Sequence, residues 1–216
     1  MLWSERCVAC GESAGPVCDR CRRGLRRAVV SSVPAGLDVC RSLLAYEGPG
    51  RDLVTGLKYR NDRRVLTWLV DAMVTLLDRD DLPPGVVVTW VPTTGRRRAH
   101  RGFDQARLLA RGVARRWGVP CPDLLVRGPG PTQSSRTIDE RHQGVPLTVR
   151  SSRSGGPVTR PVVVVDDVMT TGASLTSAAQ VLRAEGCSWV AGLTAAYTPR
   201  LHPSRNEKTP VPGGRT

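Results

Sequence analysis

Val162-Val163-Val164-Val165-Asp166-Asp167-Val168-Met169-Thr170-Thr171-Gly172-Ala173-Ser174-Leu175 decides the fold. Four consecutive β-branched residues make a short apolar run, the pattern of a strand buried on both faces. Two neighbouring carboxylates, Asp166 and Asp167, follow at its carboxyl end. Thr170, Thr171, Gly172, Ala173 and Ser174 then form a turn rich in hydroxyls, and a helix-forming stretch runs from Leu175 to about Glu185. A strand, a turn of N–H groups and a helix N-terminus together make an anion site. Carboxylates beside such a site suit the hydroxyls of a sugar or a bound cation, so a sugar phosphate is the ligand this chemistry fits. Gly172 agrees, because a backbone closing on a phosphate often needs positive φ and no Cβ. The alternative is an ordinary buried strand capped by Asp and Thr.

A second apolar strand, Val86 to Val91, leads into Pro92-Thr93-Thr94-Gly95-Arg96-Arg97-Arg98-Ala99-His100-Arg101-Gly102-Phe103-Asp104-Gln105. This loop also sits at a carboxyl end and opens a helix, Phe103 to Trp117, and it carries four arginines. It reads as a second anion cradle, more strongly charged than the first; the alternative is a solvated basic turn. A third segment, Gln133 to Gln143 (Gln-Ser-Ser-Arg-Thr-Ile-Asp-Glu-Arg-His-Gln), lies in a long polar stretch from Gly128 to Gly144. A loop of that length inside a compact domain is more often a functional lid than filler, the alternative being a surface loop outside the chemistry.

Seven cysteines are an odd count, a poor fit to a closed disulfide framework. Four of them group as Cys7-x-x-Cys10 and Cys18-x-x-Cys21, with Gly11, Gly15 and Pro16 supplying turns between the pairs. Two such knuckles in a reducing compartment read as a structural tetrathiolate Zn²⁺ site. Two local disulfides or a redox pair are the alternatives. Cys40, Cys121 and Cys187 read as small buried apolar residues.

The 216 residues suffice for one sizeable α/β core and a small appendage. The formal net charge is +13, and Lys58 and Lys208 are the only lysines. An arginine-rich balance suits polyanionic partners, nucleic acid or phosphates, since the guanidinium fork binds phosphate bidentately; a genome-wide composition bias is the bland reading of the total charge. Without an apolar run of membrane-spanning length, or an apolar core between Met1 and Arg6, a cytosolic location is the default expectation.

Along the chain, residues 1–27 form the cysteine module, ending in a basic stretch from Arg20 to Arg27, and 28–36 read as a linker. Val39 to Tyr46 is strand-like, with Gly48-Pro49-Gly50 as a breaker. Arg51 to Arg60 and Arg63 to Leu77 carry helical spacing. Short strand-like pieces lie near Leu124 to Val126 and Leu147 to Val149, and a last strand runs from Trp189 to Tyr197. Residues 199–216, polar with several prolines, are expected to be disordered. Alternating strands and helices argue for an α/β fold with a mostly parallel sheet flanked by helices, whose ligands sit at the carboxyl ends of strands.

The Val162–Leu175 run resembles the phosphoribosyl-diphosphate (PRPP) motif of type I phosphoribosyltransferases. The four-cysteine module and the wording Val-Pro followed by Arg-x-x-x-Arg-Gly-Phe-x-Gln resemble the ComF family, the competence-associated branch of those proteins. The resemblance runs from about Cys7 to Tyr197 and implies a phosphoribosyltransferase-like domain over 37–198. It implies that Asp166 and Asp167 hold the ribose, that Thr170, Thr171, Gly172, Ala173 and Ser174 hold the 5′-phosphate, and that Thr93, Thr94 and Gly95 hold the diphosphate. Arg97 and Arg101 match the family's basic positions, and Arg141 its hood arginine. Asp104 and Gln143 stand where asparagine is usual. PRPP with Mg²⁺ is the implied ligand. The implied reaction is displacement of diphosphate by a nucleobase or amine, with Asp166, Asp167 and Arg141 in the chemistry; His100 and His142 are assigned no role. A second implied class is a non-catalytic protein that senses PRPP or handles single-stranded DNA with DNA-uptake partners. One Phe, three Tyr and five Trp offer no evident stacking platform. Dimers are common for the fold, so a homodimer is among the expectations.

Overall fold

The computed structural model describes residues 6–60, 63–93, 103–128, 147–150 and 158–198. Thr94, Gly95, Arg97, Arg101, Arg141, both loop histidines, Gln143 and the expected tail lie outside the described residues.

In chain order the elements are α1 (Asp19–Arg23), β1 (Val39–Ala45), α2 (Gly48–Arg60), α3 (Arg63–Met73), β2 (Val87–Trp90), α4 (Gln105–Trp117), β3 (Leu125–Arg127), β4 (Leu147–Val149), β5 (Val162–Met169), α5 (Ala173–Ala184) and β6 (Val190–Tyr197). A 3₁₀ turn, Val74–Leu76, extends α3. The main sheet has the order β1-β6-β5-β2, and all three pairings are parallel. β3 and β4 pair antiparallel as a separate two-stranded ribbon. The mostly parallel sheet flanked by helices is therefore as the residues predict.

Strand alternation divides the core into two layers. Val163 and Val165 pack with Leu193 and Ala195 under Leu53 and Leu57 of α2, Val65 and Leu69 of α3, and Leu109 and Val113 of α4. Val162, Val164 and Val190 pack with Leu175, Ala178, Ala179 and Leu182 of α5, together with Leu125 and Leu147 of the ribbon. Burial on both faces explains the unbroken valine run, which has no polar side to show water.

Three expectations are corrected. Gly48-Pro49-Gly50 is not a breaker but the first turn of α2, where proline's missing N–H costs nothing. The acidic strand runs on through Met169, so Asp166 and Asp167 lie within β5 rather than after it. Residues 28–36 are no free linker: Ala28 donates to Leu43 O at 3.2 Å, and Ala45 donates to Arg26 O at 2.9 Å. The chain then passes along α5, with Pro34 beside Gly172 and Gly36 beside Ala179. Asp38 closes this path: its Oδ2 accepts from Arg183 Nη2 at 2.5 Å and from Val190 N at 2.7 Å.

The Asp38 knot should matter more than an exposed pair such as Arg116–Asp71, which joins α4 to α3 at 2.6 Å. Asp38→Ala strands an amide at the start of β6 and is expected to cost about 1–2 kcal/mol. Arg116→Ala should cost at most about 1 kcal/mol. Urea midpoints of the two variants against the parent check the ranking, and equal midpoints would contradict it.

Candidate active site and metal centre

β2 is the shorter of the two strands that flank β5. It ends at Trp90 opposite Val165, and the Val91 amide makes a last bond to Val165 O at 2.9 Å. β5 continues beside β6, with Asp166 opposite Thr194 and Met169 opposite Tyr197. Asp166 and Asp167 thus occupy the step where β2 has left the sheet, both partly exposed. Alternation carries Asp166 on the α5 side with Val162 and Val164, and Asp167 on the α4 side with Val163 and Val165. The Asp167 amide donates to Asp166 Oδ1 at 2.8 Å, which fixes the first carboxylate against the strand.

On the α5 side, Thr170 and Thr171 are exposed, Gly172 is buried, and Ala173 opens the helix. Gly172 is the N-cap at φ 76°, the left-handed region that disfavours any Cβ. Having no side chain, it caps none of the first-turn amides. Thr171 Oγ1 accepts from Ala173 N at 3.2 Å, which tightens the turn. Ser174 lies half-buried in the first turn. The positive end of the α5 dipole faces out beside the aspartates.

On the α4 side, Thr93 is the last described residue after β2. Its amide donates to Asp104 Oδ2 at 3.0 Å, and Asp104 Oδ1 accepts from Arg107 N at 3.3 Å as the N-cap of α4. Asp104 is buried, and its pKa is raised: burial is the largest cause, the Thr93 and Arg107 amides oppose it, and the Asp167 charge adds to it. That electrostatic coupling ties the mouth of β2 to the acidic step of β5. The residues alone did not disclose Asp104's role, although an aspartate directly before a helical run is an N-cap signal.

The cysteines converge. The sulfurs of Cys7, Cys10, Cys18 and Cys21 all lie within 4.8 Å of one another, and those of Cys10 and Cys18 are 3.6 Å apart. Zn–S bonds of about 2.3 Å in a tetrahedron put neighbouring sulfurs about 3.8 Å apart, so the set could hold a metal ion such as zinc. The Cys18 amide donates to Cys7 Sγ at 3.4 Å and the Cys21 amide to Cys18 Sγ at 3.5 Å, orienting the ligands. Burial pushes the Cys7 thiol up, but the amides of Cys18, Cys10 and Ala9 outweigh it and bring the pKa down to about 6. Burial and the neighbouring thiols push Cys21 well up. Val8 and Val17 of this module belong to the same apolar layer as α2 and α3, and a Cβ on Gly56 of α2 would collide with Val8. Cys40 and Cys187 are buried, as expected of small apolar residues, and Cys121 is half-buried.

No family model matches the chain. Two curated proteins are similar to it. The DNA utilization protein YhgH of Salmonella typhi is 28% identical over 193 residues, spanning 85% of this chain and 80% of that protein. The competence protein ComFC of Bacillus subtilis (strain 168) is 27% identical over 184 residues, spanning 83% and 72%. Among solved structures, orotate phosphoribosyltransferase from Aeropyrum pernix is 22% identical with a TM-score of 0.40, covering 82% of this chain and 89% of that one. The allosteric regulatory enzyme of purine biosynthesis is 24% identical with a TM-score of 0.40 over 61% of this chain, which spans 26% of that longer protein. The class is α/β, with a parallel sheet between helix layers and an acidic step at the strand ends. Within that class the resemblance to the ComF family is borne out by the two curated relatives. Among the described residues no helix is long and apolar enough to cross a membrane.

Proposed function

We propose that the chain binds PRPP with Mg²⁺ across the carboxyl ends of β2 and β5 and transfers the phosphoribosyl group to a nitrogen acceptor, a nucleobase or amine. The observation that carries this reading is the step in the sheet: two carboxylates stand where β2 ends, with the Thr93 turn on one side and the Thr170–Ser174 turn on the other. In this reading the 5′-phosphate sits on the amides and hydroxyls of Thr170, Thr171, Gly172, Ala173 and Ser174. The diphosphate sits on Thr93, Thr94 and Gly95, with Arg97 and Arg101 supplying positive charge. Asp166 and Asp167 orient the ribose hydroxyls and offset the positive charge that develops on the ring as diphosphate leaves. Arg141 neutralises the departing diphosphate and helps exclude water. The oxygen donors here suit Mg²⁺, which takes most of its ligands from substrate and water and would add charge stabilisation on the diphosphate. Cys7, Cys10, Cys18 and Cys21 hold structural Zn²⁺. Residues 1–27 are the metal module and 37–198 the phosphoribosyltransferase-like domain.

Titration calorimetry with PRPP and Mg²⁺ tests the site. Asp166→Asn with Asp167→Asn should abolish detectable binding, a loss of at least about a hundredfold from two charge-assisted contacts. Unchanged affinity would overturn the reading. Diphosphate release with a panel of bases and amines then tests transfer.

A second reading, single-stranded DNA handling without catalysis, is favoured by one observation. Arg20, Arg22, Arg23, Arg26 and Arg27 are all exposed on and after α1, with Arg20 near Glu12 and Arg26 near Glu47. Binding through these arginines would weaken steeply with salt. Tight, salt-sensitive DNA binding with no diphosphate release from any acceptor would favour it over transfer.

A further inference from the structure

One peptide unit at the mouth of β2 is held at both poles. The Pro92 carbonyl accepts from Arg127 Nε of β3 at 2.8 Å. The amide of that same unit, Thr93 N–H, donates to Asp104 Oδ2 at 3.0 Å. Asp104 is 8% exposed, and its other oxygen caps α4 through Arg107 N. A peptide held at one end still swings about its flanking φ and ψ, whereas two opposed bonds remove that freedom.

A carboxylate suits this position better than an amide. Both neighbours, Thr93 N and Arg107 N, are donors. An ionised aspartate offers two acceptor oxygens, while asparagine offers one and would turn an NH₂ group toward the other donor. Arg127, on a different sheet, supplies the opposite pole from 35 residues away.

We propose that Asp104 is a positioning residue which, opposed by Arg127, fixes the Pro92–Thr93 peptide and so sets the diphosphate end of the site. The inference rests on the PRPP reading above and says which end of that ligand depends on the clamp. Asp104 orients the backbone that meets the diphosphate; the Thr170 turn lies beyond its reach, on the far side of β5.

Calorimetry with two separate probes, inorganic diphosphate with Mg²⁺ and ribose 5-phosphate, tests it. In Asp104→Asn, diphosphate affinity should fall about tenfold, while ribose 5-phosphate stays within about twofold of the parent. Asp104→Ser, which keeps a cap for α4 but is too short to reach Thr93, should show the same split. Arg127→Ala should reproduce it, and the Asp104→Asn/Arg127→Ala double variant should be little worse than the weaker single, since both act on one peptide. Unchanged diphosphate affinity in the variants, or equal loss for both probes, would overturn the clamp. A parent chain that binds neither probe would instead overturn the PRPP reading and take this inference with it, a failure visible without any variant.

Discussion

Cys18→Ser is expected to lose the metal and to lower the stability of the whole chain, not of its first 27 residues alone. Three of the four sulfurs remain, but a serine hydroxyl is a poor ligand where a tetrahedral thiolate set is required. Structural zinc in finger peptides contributes about 10–16 kcal/mol at neutral pH, so losing even a third of that costs about 3–5 kcal/mol. The loss propagates because Val8 and Val17 pack in the same layer as Leu53, Leu57 and Leu69. Releasing them exposes one flank of α2. Metal content by mass spectrometry, read beside a thermal melt followed at 222 nm, checks both halves. One zinc per chain with an unshifted melt in the variant would refute the assignment, and chelation of the parent should reproduce the variant's behaviour.

Gly172→Ala should damage the chain at the end of β5. The residue sits at φ 76°, and an L residue there costs about 1–2 kcal/mol. An added Cβ would also lie 2.7 Å from Pro34 Cγ and 3.1 Å from Pro34 Cβ. Proline cannot swing its ring aside, so overpacking adds about 1–3 kcal/mol. The expected sum is about 2–5 kcal/mol in urea unfolding, together with weaker ribose 5-phosphate binding. The two causes separate in a double variant. Pro34→Ala, which removes Cγ and keeps Cβ, should return most of the overpacking share and leave the backbone share; full recovery would show that the left-handed conformation costs nothing here.

The residues disclosed the centre of this fold better than its margins. Val162 to Val165 could be read because an all-apolar run is the direct signature of burial on both faces. The extension of β5 through Met169 was hidden, because two carboxylates inside a strand look like its end. They stand there because the neighbouring strand has already left. Residues 28–36 look like a linker in composition, yet Pro34 and Gly36 pack on α5, a contact that depends on where a helix more than 130 positions later comes to rest. The cysteine cluster was readable from spacing alone, since metal geometry constrains sequence spacing tightly. The Arg127–Pro92 bond was not, because nothing local to either residue specifies the other.

The position of β6 has a consequence for biosynthesis. This strand lies between β1 and β5, yet it follows both of them in the chain. A nascent polypeptide emerging from the ribosome can assemble β2 with β5, but β1 must wait for residues 190–197 before its ladder to β6 can form. Such long-range parallel closure is slow, and until it happens two strand edges stay open to unwanted partners. Among the described strands, assembly of the sheet is therefore completed by the one made last.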